Sequence, residues 1–351
     1  LMFKLPPLLL HYYITTRCNC RCSFCDIWKL PHQQRINASL DDVMLNLQHG
    51  RNLGLRFVDF TGGEPLLHKH LPEMLRRAKT LGYLTTITTN GILYPNVANA
   101  LRGQVDFLHL SLDALHNPTH DALRGRRTFE RVMQSLDVAR ALGERPDLLF
   151  TVTPKTVQHI KPLAQFAKRL QLMLVVNPVF SYGSVSASNL EFLKELDAFR
   201  AHPYVYVNTA FHRLRRQGGN QISSPRCRVL DSTVVISPDN HLVLPCYHFQ
   251  QTALPLNSSS HKNPLRALRQ TPTWTYFHKH QGRLECCQGC HLNCYFDPSF
   301  SYQLDTFFWM SLLAKSRYWW NKSVRKRIEQ KQQDDRPARD IAQDIWEMYG
   351  F

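Results

Sequence analysis

The sequence predicts an α/β fold: an open, partial (β/α)6 barrel of the TIM-like kind, followed by a small cysteine-rich domain and a helical C-terminal tail. Three observations lead to this prediction. Six strand-like segments alternate with helical ones, the ten cysteines fall into two groups, and the C-terminal end is aromatic and basic. Alternating strands and helices form parallel sheets with crossover helices, and six units are too few to close an eightfold barrel.

The predicted strands are short apolar or β-branched runs, and the helical segments between them have apolar residues on one face. The strands are predicted at residues 8–15, 55–60, 84–89, 105–112, 148–152 and 172–179. The helices are predicted at residues 38–53, 70–81, 95–101, 118–142 with an interruption near Gly125, and 159–170. In such barrels the chemistry lies at the carboxyl ends of the strands.

The pattern changes after the sixth strand. We expect a barrel domain over residues 1–190, a linker with a helix (189–200) over 191–225, a cysteine-rich domain over 226–300 and a tail over 301–351. Residues 234–245 (VVISPDNHLVLP) predict a hairpin that turns at Pro-Asp-Asn, and residues 252–270 predict a loop. Residues 340–349 predict a last short helix, docked through Ile341, Ile345 and Trp346.

Length and composition are those of a globular protein: 351 residues, of which 43% are hydrophobic. The net charge of +16 suits a basic solvated surface, an anionic substrate, nucleic acid or a membrane surface, and does not choose among them. No apolar run approaches the roughly 20 residues of a membrane span. Residues 1–10 are apolar but contain Pro6 and Pro7 and lack a signal-peptide pattern, so we expect a cytoplasmic location.

The first cysteine group has the spacing Cys18-x3-Cys22-x2-Cys25. Tight cysteine groups in a reducing compartment indicate metal rather than disulfides. Three thiolates on a short loop can bind three irons of a [4Fe–4S] cluster and leave the fourth iron open to a substrate. Cys20 is expected to be a free thiol, because a fourth ligand would crowd the loop. A zinc site is the alternative interpretation.

This cysteine loop after the first strand, with Gly62-Gly63-Glu64-Pro65 after the second, resembles the radical S-adenosylmethionine (radical SAM) superfamily over about residues 8–180. The resemblance implies that the amino and carboxylate groups of S-adenosylmethionine bind the open iron. It implies that one electron from the cluster splits this molecule into methionine and a 5′-deoxyadenosyl radical, which abstracts hydrogen from a substrate. A flavodoxin or ferredoxin would supply the electron.

The resemblance also suggests which residues contact S-adenosylmethionine. Two glycines let the backbone approach a ligand closely, and their carbonyls with Glu64 would bind the ammonium group. The expected cofactor-binding residues are Gly62, Gly63, Glu64, Pro65, Asn90, Ser111, Asp113, Arg124 and Asn177. Each of the last five has an ordinary alternative as a cap or turn residue. None of the seventeen histidines has a spacing that marks a catalytic residue.

The second cysteine group is Cys227-x18-Cys246 followed by Cys286-Cys287-x2-Cys290-x3-Cys294. It resembles the SPASM/twitch auxiliary domains that follow such barrels. A full SPASM domain uses about seven cysteines for two clusters, and this chain has six here. The resemblance therefore implies one auxiliary [4Fe–4S] cluster on Cys227, Cys246, Cys287 and Cys290, or with Cys294 in place of one. The alternative is zinc, with His248 or His291 as a ligand.

The tail segment 305–324 (DTFFWMSLLAKSRYWWNKSV) combines aromatic, aliphatic and basic residues. This pattern is typical of an interfacial helix at a membrane surface. The alternative is a helix that caps the open barrel and exposes a basic face to solvent. The first interpretation adds a peripheral membrane location to the expected cytoplasmic one.

The expected substrate is a peptide, or a small molecule or lipid-linked precursor. Peptide-modifying relatives commonly have an N-terminal recognition domain, and this chain starts almost at its first strand, so a peptide would need a separate partner. Relatives in molybdenum cofactor synthesis end in a glycine-rich tail, which the ending Tyr349-Gly350-Phe351 does not resemble. The rival class is a non-enzymatic zinc or iron–sulfur module on a basic nucleic-acid-binding surface; for the enzyme we expect no nucleic-acid partner.

Overall fold

A computed structural model describes residues 5–180, 190–257, 262–325 and 334–350. The strands are β1 (Leu9–Thr15), β2 (Phe57–Gly62), β3 (Leu84–Thr89), β4 (Phe107–Ser111), β5 (Asp147–Val152), β6 (Leu174–Pro178), β7 (Val205–Val207), β8 (Thr233–Ile236), β9 (His241–Leu244) and β10 (Thr252–Pro255). Over the described residues they form one sheet with the order β10-β9-β8-β1-β2-β3-β4-β5-β6-β7.

The helices of the barrel are α1 (Leu40–Leu53), α2 (Leu71–Thr80), α3 (Tyr94–Leu101), α4 (Asn117–Arg124), α5 (Phe129–Ala141), α6 (Ile160–Leu170), α7 (Phe192–Ala198) and α8 (Thr209–Arg216). The later helices are α9 (Val229–Ser232), α10 (Pro264–Leu268), α11 (Pro272–Lys279), α12 (Asn293–Ser299), α13 (Thr306–Trp320) and α14 (Ala338–Tyr349).

Strands β1 to β7 pair in chain order, and every pair is parallel. Alternate side chains point to opposite faces of a strand. On β1, Tyr12 points outward, where its hydroxyl accepts a hydrogen bond from Asn46 of α1. His11 points to the other face, toward Asp59 of β2. The predicted α/β fold with an open, mostly parallel barrel is confirmed, and the six predicted strands are β1 to β6.

The structure contains elements that the sequence pattern did not predict. Strand β7 lies in the segment expected to be a linker, because three residues are too short to show a periodicity. Strand β10 and helix α10 lie in residues 252–270, which were expected to be a loop. The predicted helix 118–142 is interrupted as expected: α4 ends at Arg124, Gly125 caps it with a φ of +63°, and α5 follows.

The predicted hairpin is present as β8 and β9, which pair antiparallel. Strand β8 also pairs parallel with β1, from Leu9 opposite Thr233 to Tyr12 opposite Ile236. The cysteine-rich region is therefore joined to the barrel through the same sheet.

Helix α13 packs on α8 and on the edge strand β7. Beyond Trp320 the chain continues as a π-helical turn, Asn321–Arg325. Helix α14 docks as predicted: Ile341 and Ile345 are buried, and Trp346 stacks on His116 with ring centroids 4.6 Å apart. No helix in the described part of the chain has both the length and the apolarity to cross a bilayer.

Candidate cofactor and metal sites

The first three predicted ligands, Cys18, Cys22 and Cys25, lie in the loop that follows β1, at the edge where the strands end. Burial raises the pKa of Cys18 to about 12 and also raises the pKa of Cys25. Cys22 differs, because a hydrogen bond from the Cys20 thiol lowers its pKa. The thiols are close enough to influence one another's ionisation, so the loop holds them as a group.

One side of the cysteine loop rests against the turn after β2. The amide of Gly63 donates to the carbonyl of Thr15 at 2.9 Å, and the amide of Glu64 donates to that of Arg17 at 2.8 Å. A Cβ at Gly62 would lie 1.9 Å from the Thr15 carbonyl oxygen, and one at Gly63 would lie 2.1 Å from that of Arg17. Both glycines are therefore needed for the close approach of the two backbones.

The other side of the loop rests against the end of α4. The amide of Arg21 donates to the carbonyl of Arg124, and the amide of Ser23 donates to that of Leu123, both at 3.0 Å. A Cβ at Gly125 would lie 2.3 Å from the Arg21 carbonyl oxygen. Helix α4 and its glycine cap therefore fix the second half of the cysteine loop.

Glu64 is buried, and hydrogen bonds from its own chain surround it. One carboxylate oxygen accepts the amide of Leu66 at 3.0 Å and the hydroxyl of Thr89 at 2.7 Å; the other accepts the amide of Asn90 at 2.8 Å. Burial raises the pKa of Glu64 to about 7. Asn90 in turn donates from its side chain to the Asn19 side chain, 2.7 Å away. These bonds tie the ends of β2 and β3 to the cysteine loop.

Asp113 and Arg124 form a buried ion pair beside the cysteines. Nε of Arg124 lies 2.7 Å from Oδ2 of Asp113, and the other Asp113 oxygen accepts the Thr151 amide at 3.0 Å. Nη1 of Arg124 lies 3.9 Å from the Sγ atom of Cys22. Nη2 of Arg124 is buried and has no hydrogen-bond partner among the described residues. A buried cationic donor with an unused N–H group suits an anionic ligand next to Cys22.

Ser111 and Asn177 complete the predicted set. Ser111 ends β4 and is buried. Asn177 lies on β6, and its side-chain oxygen accepts a hydrogen bond from Asn293 of α12 at 3.1 Å. The structure thus brings residues 62–65, Asn90, Asp113 and Arg124 around the cysteine loop, while Asn177 contacts the cysteine-rich region.

Four cysteines of the second group line one small, enclosed cavity: Cys227, Cys246, Cys287 and Cys290. The remaining wall is largely apolar, with side chains that include Val229, Leu292 and Phe296. Burial raises the pKa of Cys246 to about 12 and that of Cys290 to about 11. Cys294 does not line this cavity, but burial raises its pKa, and the nearby Cys246 raises it further.

Asn220 connects two chain segments that carry these cysteines. Sequence reasoning missed this residue. Its side-chain nitrogen donates to the carbonyls of Gly282, at 2.7 Å, and Cys287, at 3.1 Å. Its side-chain oxygen accepts the amides of Arg226, at 2.9 Å, and Cys227, at 3.3 Å. Asn220 has no exposed surface. The signal in the sequence was weak: an Asn after two glycines is usually a turn.

Aromatic and polar side chains lie between the two cysteine groups. Tyr13 of β1 stacks on Tyr247, the neighbour of Cys246, with ring centroids 3.6 Å apart. Nδ1 of His11 lies 3.4 Å from Oδ2 of Asp59. Burial lowers the pKa of His11 and raises that of Asp59. Sequence reasoning missed these residues as well, although His11 and Tyr13 alternate with Tyr12 along the strand.

Among the described residues, no three histidine, cysteine or acidic side chains converge closely enough to hold a single metal ion. A [4Fe–4S] cluster takes one thiolate on each iron, so its ligands surround the group instead of converging on one point. Thiols are soft donors that suit iron–sulfur clusters. The cysteines on the glycine-supported loop and the four cysteines around the apolar cavity therefore both fit such a cluster.

Residues 12–167 match the family model of the Radical SAM superfamily. A GTP 3′,8-cyclase of Chlorobaculum tepidum is 38% identical over 128 residues, which are 35% of this chain and 38% of that protein. A probable GTP 3′,8-cyclase of Saccharolobus islandicus is 28% identical over 193 residues, 53% of this chain and 62% of that protein. The chain therefore spans less than two thirds of these relatives.

Solved structures are similar over most of the chain. The structure of anSMEcpe with bound AdoMet covers 91% of this chain and 100% of its own, with a TM-score of 0.61 and 16% identity. Streptococcus suis SuiB bound to S-adenosylmethionine covers 86% of this chain and 77% of its own, with a TM-score of 0.59 and 18% identity. These similarities extend the shared fold beyond the barrel into the cysteine-rich region.

Proposed function

We propose that this chain, whose residues 12–167 match the Radical SAM superfamily model, is an enzyme that binds a [4Fe–4S] cluster on Cys18, Cys22 and Cys25 and cleaves S-adenosylmethionine reductively. When bound, the cluster and S-adenosylmethionine would supply a 5′-deoxyadenosyl radical that abstracts hydrogen from a substrate.

The observation that carries this proposal is the double support of the cysteine loop. The loop lies between the Gly62-Gly63 turn and the Gly125 cap, and neither surface tolerates a Cβ. Arg124 then connects Cys22 to Asp113, and its Nη2 amino group is left for a ligand. A structural thiol site needs no such donor, whereas a carboxylate-bearing cofactor does.

The residues have distinct roles in this proposal. The backbone of Gly62 and Gly63 approaches the methionyl part of S-adenosylmethionine, and Arg124 pairs with its carboxylate. Glu64 and Pro65 act as positioning residues, because the Glu64 carboxylate already accepts three hydrogen bonds, one of which comes from the Asn90 amide. Ser111 and Asn177 lie at strand ends where a ribose or adenine would be contacted.

The second site extends the proposal. Cys227, Cys246, Cys287 and Cys290 bind one auxiliary [4Fe–4S] cluster, with Cys294 as the alternative ligand for one of them. Burial in an apolar shell favours an electron-transfer or structural role for a cluster with four thiolates. A flavodoxin or ferredoxin supplies electrons. The substrate is a peptide or a small-molecule or lipid-linked precursor.

The test is anaerobic reconstitution with iron and sulfide, followed by dithionite and S-adenosylmethionine. We expect 5′-deoxyadenosine from the wild-type chain and none from a Cys18→Ala/Cys22→Ala/Cys25→Ala variant. That variant keeps about four irons per chain at the auxiliary site. The matched control is Cys20→Ala, which removes a thiol from the same loop and should retain both the iron and the product.

Two results would overturn the proposal. One is uptake of zinc in place of iron, which would indicate a non-enzymatic metal-binding module. The other is a chain with full iron sites that makes no 5′-deoxyadenosine, alone or with candidate substrates.

A nucleotide substrate is the second candidate, because the two relatives are named GTP 3′,8-cyclases. The net charge of +16 suits a polyanionic substrate. GTP should therefore be assayed with the reconstituted chain. Consumption of GTP that requires S-adenosylmethionine would favour this candidate over a peptide.

A further inference from the structure

Helix α13 exposes an apolar stripe along its whole length. The stripe consists of Trp309, Leu312, Leu313, Trp319 and Trp320, whose exposed fractions are 58%, 43%, 70%, 59% and 61%. Their spacings of 3, 4, 10 and 11 residues from Trp309 place them on one helix face. Large contiguous apolar patches on a protein surface mark interaction sites.

The opposite face fixes the direction in which this stripe points. Phe307 and Ser311 are buried against the protein. The Tyr318 hydroxyl donates to Oδ2 of Asp147, at 2.5 Å, and the Lys322 ammonium nitrogen lies 2.7 Å from the same oxygen. The inner face of α13 therefore holds the helix on the barrel. The apolar stripe lies on the opposite, outer face.

The composition of the stripe indicates the kind of partner. Three of the six tryptophans of the chain lie on it. Tryptophan is enriched at membrane–water interfaces, because its ring is apolar and its N–H group still binds water or a headgroup. Interfacial helices combine Trp and Leu on one face with Lys and Arg beside it.

Charge around the stripe favours an anionic surface. Between Asp305 and Glu329 the sequence has no acidic residue. The same stretch carries six basic residues: Lys315, Arg317, Lys322, Arg325, Lys326 and Arg327. Lys315 and Lys322 pair with acidic residues of the protein. Arg317 is exposed on α13 itself, beside the stripe. Basic residues beside an apolar helix face are attracted to anionic lipid headgroups.

From these observations we propose that the outer face of α13 docks the protein on an anionic lipid bilayer. The stripe enters the headgroup region, and the exposed Arg317 beside it contacts the lipid phosphates. The helix lies along the surface, since no described helix can cross a bilayer. This proposal does not depend on the proposed chemistry, because it rests on the tail alone.

The test is flotation of the full chain with two kinds of vesicle. One contains phosphatidylcholine only, and the other has phosphatidylglycerol as about one third of its lipid. We expect binding to the anionic vesicles that weakens as salt rises. A Trp319→Ser/Trp320→Ser variant should bind at least about 10-fold more weakly. The matched control is Leu45→Ser, since Leu45 is as exposed on α1, at 58%, and should leave binding unchanged.

Three results would overturn the proposal. The wild-type chain remains unbound with both vesicles, or the double variant binds as well as wild type. The third is a wild-type dimer in solution that the double variant converts to a monomer, without lipid binding; it would assign the stripe to a second copy of the chain. Iron content and thermal unfolding of each variant confirm that it is folded.

Discussion

Lys322, in the π-helical turn that follows α13, places its ammonium nitrogen 2.7 Å from Oδ2 of Asp147, a carboxylate with no solvent exposure at the start of β5. The Tyr318 hydroxyl binds the same oxygen, and Nε2 of His109 lies 3.5 Å from it. The tail is thus anchored to the barrel by a buried charge.

We expect Lys322→Ala to destabilise the protein by about 2–4 kcal/mol, because it leaves the Asp147 charge buried with fewer partners. The control is Lys29→Ala, which breaks the exposed pair with Asp26 and should cost less than about 1 kcal/mol. Urea unfolding measures both. Equal losses in the two variants would contradict a structural role for the Lys322–Asp147 pair.

The same pair predicts a dependence of stability on pH. Burial opposes ionisation of Asp147, but the bonds from His109 and Lys322 outweigh it and lower the pKa of Asp147. Because the folded pKa lies below the unfolded value of about 3.9, the pair contributes stability above that pH and loses it as pH falls through the folded pKa. The difference in unfolding free energy between wild type and Lys322→Ala should shrink in acid. A difference that grows toward low pH would refute this assignment.

Gly125 and Gly103 form a matched pair for testing the support of the cysteine loop. Both have positive φ, +63° and +70°, but a Cβ at Gly125 would lie 2.3 Å from the Arg21 carbonyl oxygen, while Gly103 has nothing within 4 Å. Gly103→Ala should cost only the strain of the left-handed conformation, about 1–2 kcal/mol. Gly125→Ala should also displace the loop and lose 5′-deoxyadenosine formation. Normal product from Gly125→Ala would mean that the loop does not depend on α4.

Asn220→Ala should weaken the second cysteine group and spare the first. It removes four hydrogen bonds that join the Cys227 and Cys287 segments, at a cost of about 2–4 kcal/mol. In the Cys18→Ala/Cys22→Ala/Cys25→Ala background, we expect iron to fall below the amount that this background retains. Gln221→Ala is the control, since its side chain bonds only near the surface. Unchanged iron with Asn220→Ala would rule out this positioning role.

The barrel was largely predictable, because its signals are local. Strand β3 was predicted at the residues it occupies, and β4 and β6 within two residues at each end. The cysteine spacing and the turn at residues 62–65 predicted that the first site lies at strand ends. Strand β7 is too short to show a periodicity, so the sequence did not predict it.

The relationships that sequence could not predict join distant residues. Arg124 was expected to contact the cofactor, but its link to Asp113 depends on how the fold places the end of α4 beside the segment that follows β4. Asn220 lies in the expected linker, and its role appears only once residues 282 and 287 are folded next to it. Likewise, a helical periodicity in the tail did not reveal which face would meet the barrel.

The pairing of β8 with β1 has a consequence for the design of truncated proteins. Both edges of β1 are hydrogen-bonded, one by β2 and the other by β8. A fragment that ends before residue 226 would leave one edge of β1 open, and open strand edges promote aggregation. The cysteine-rich region is thus part of the barrel's own sheet, and the register of β8 against β1 fixes its position relative to the cysteine loop that follows β1.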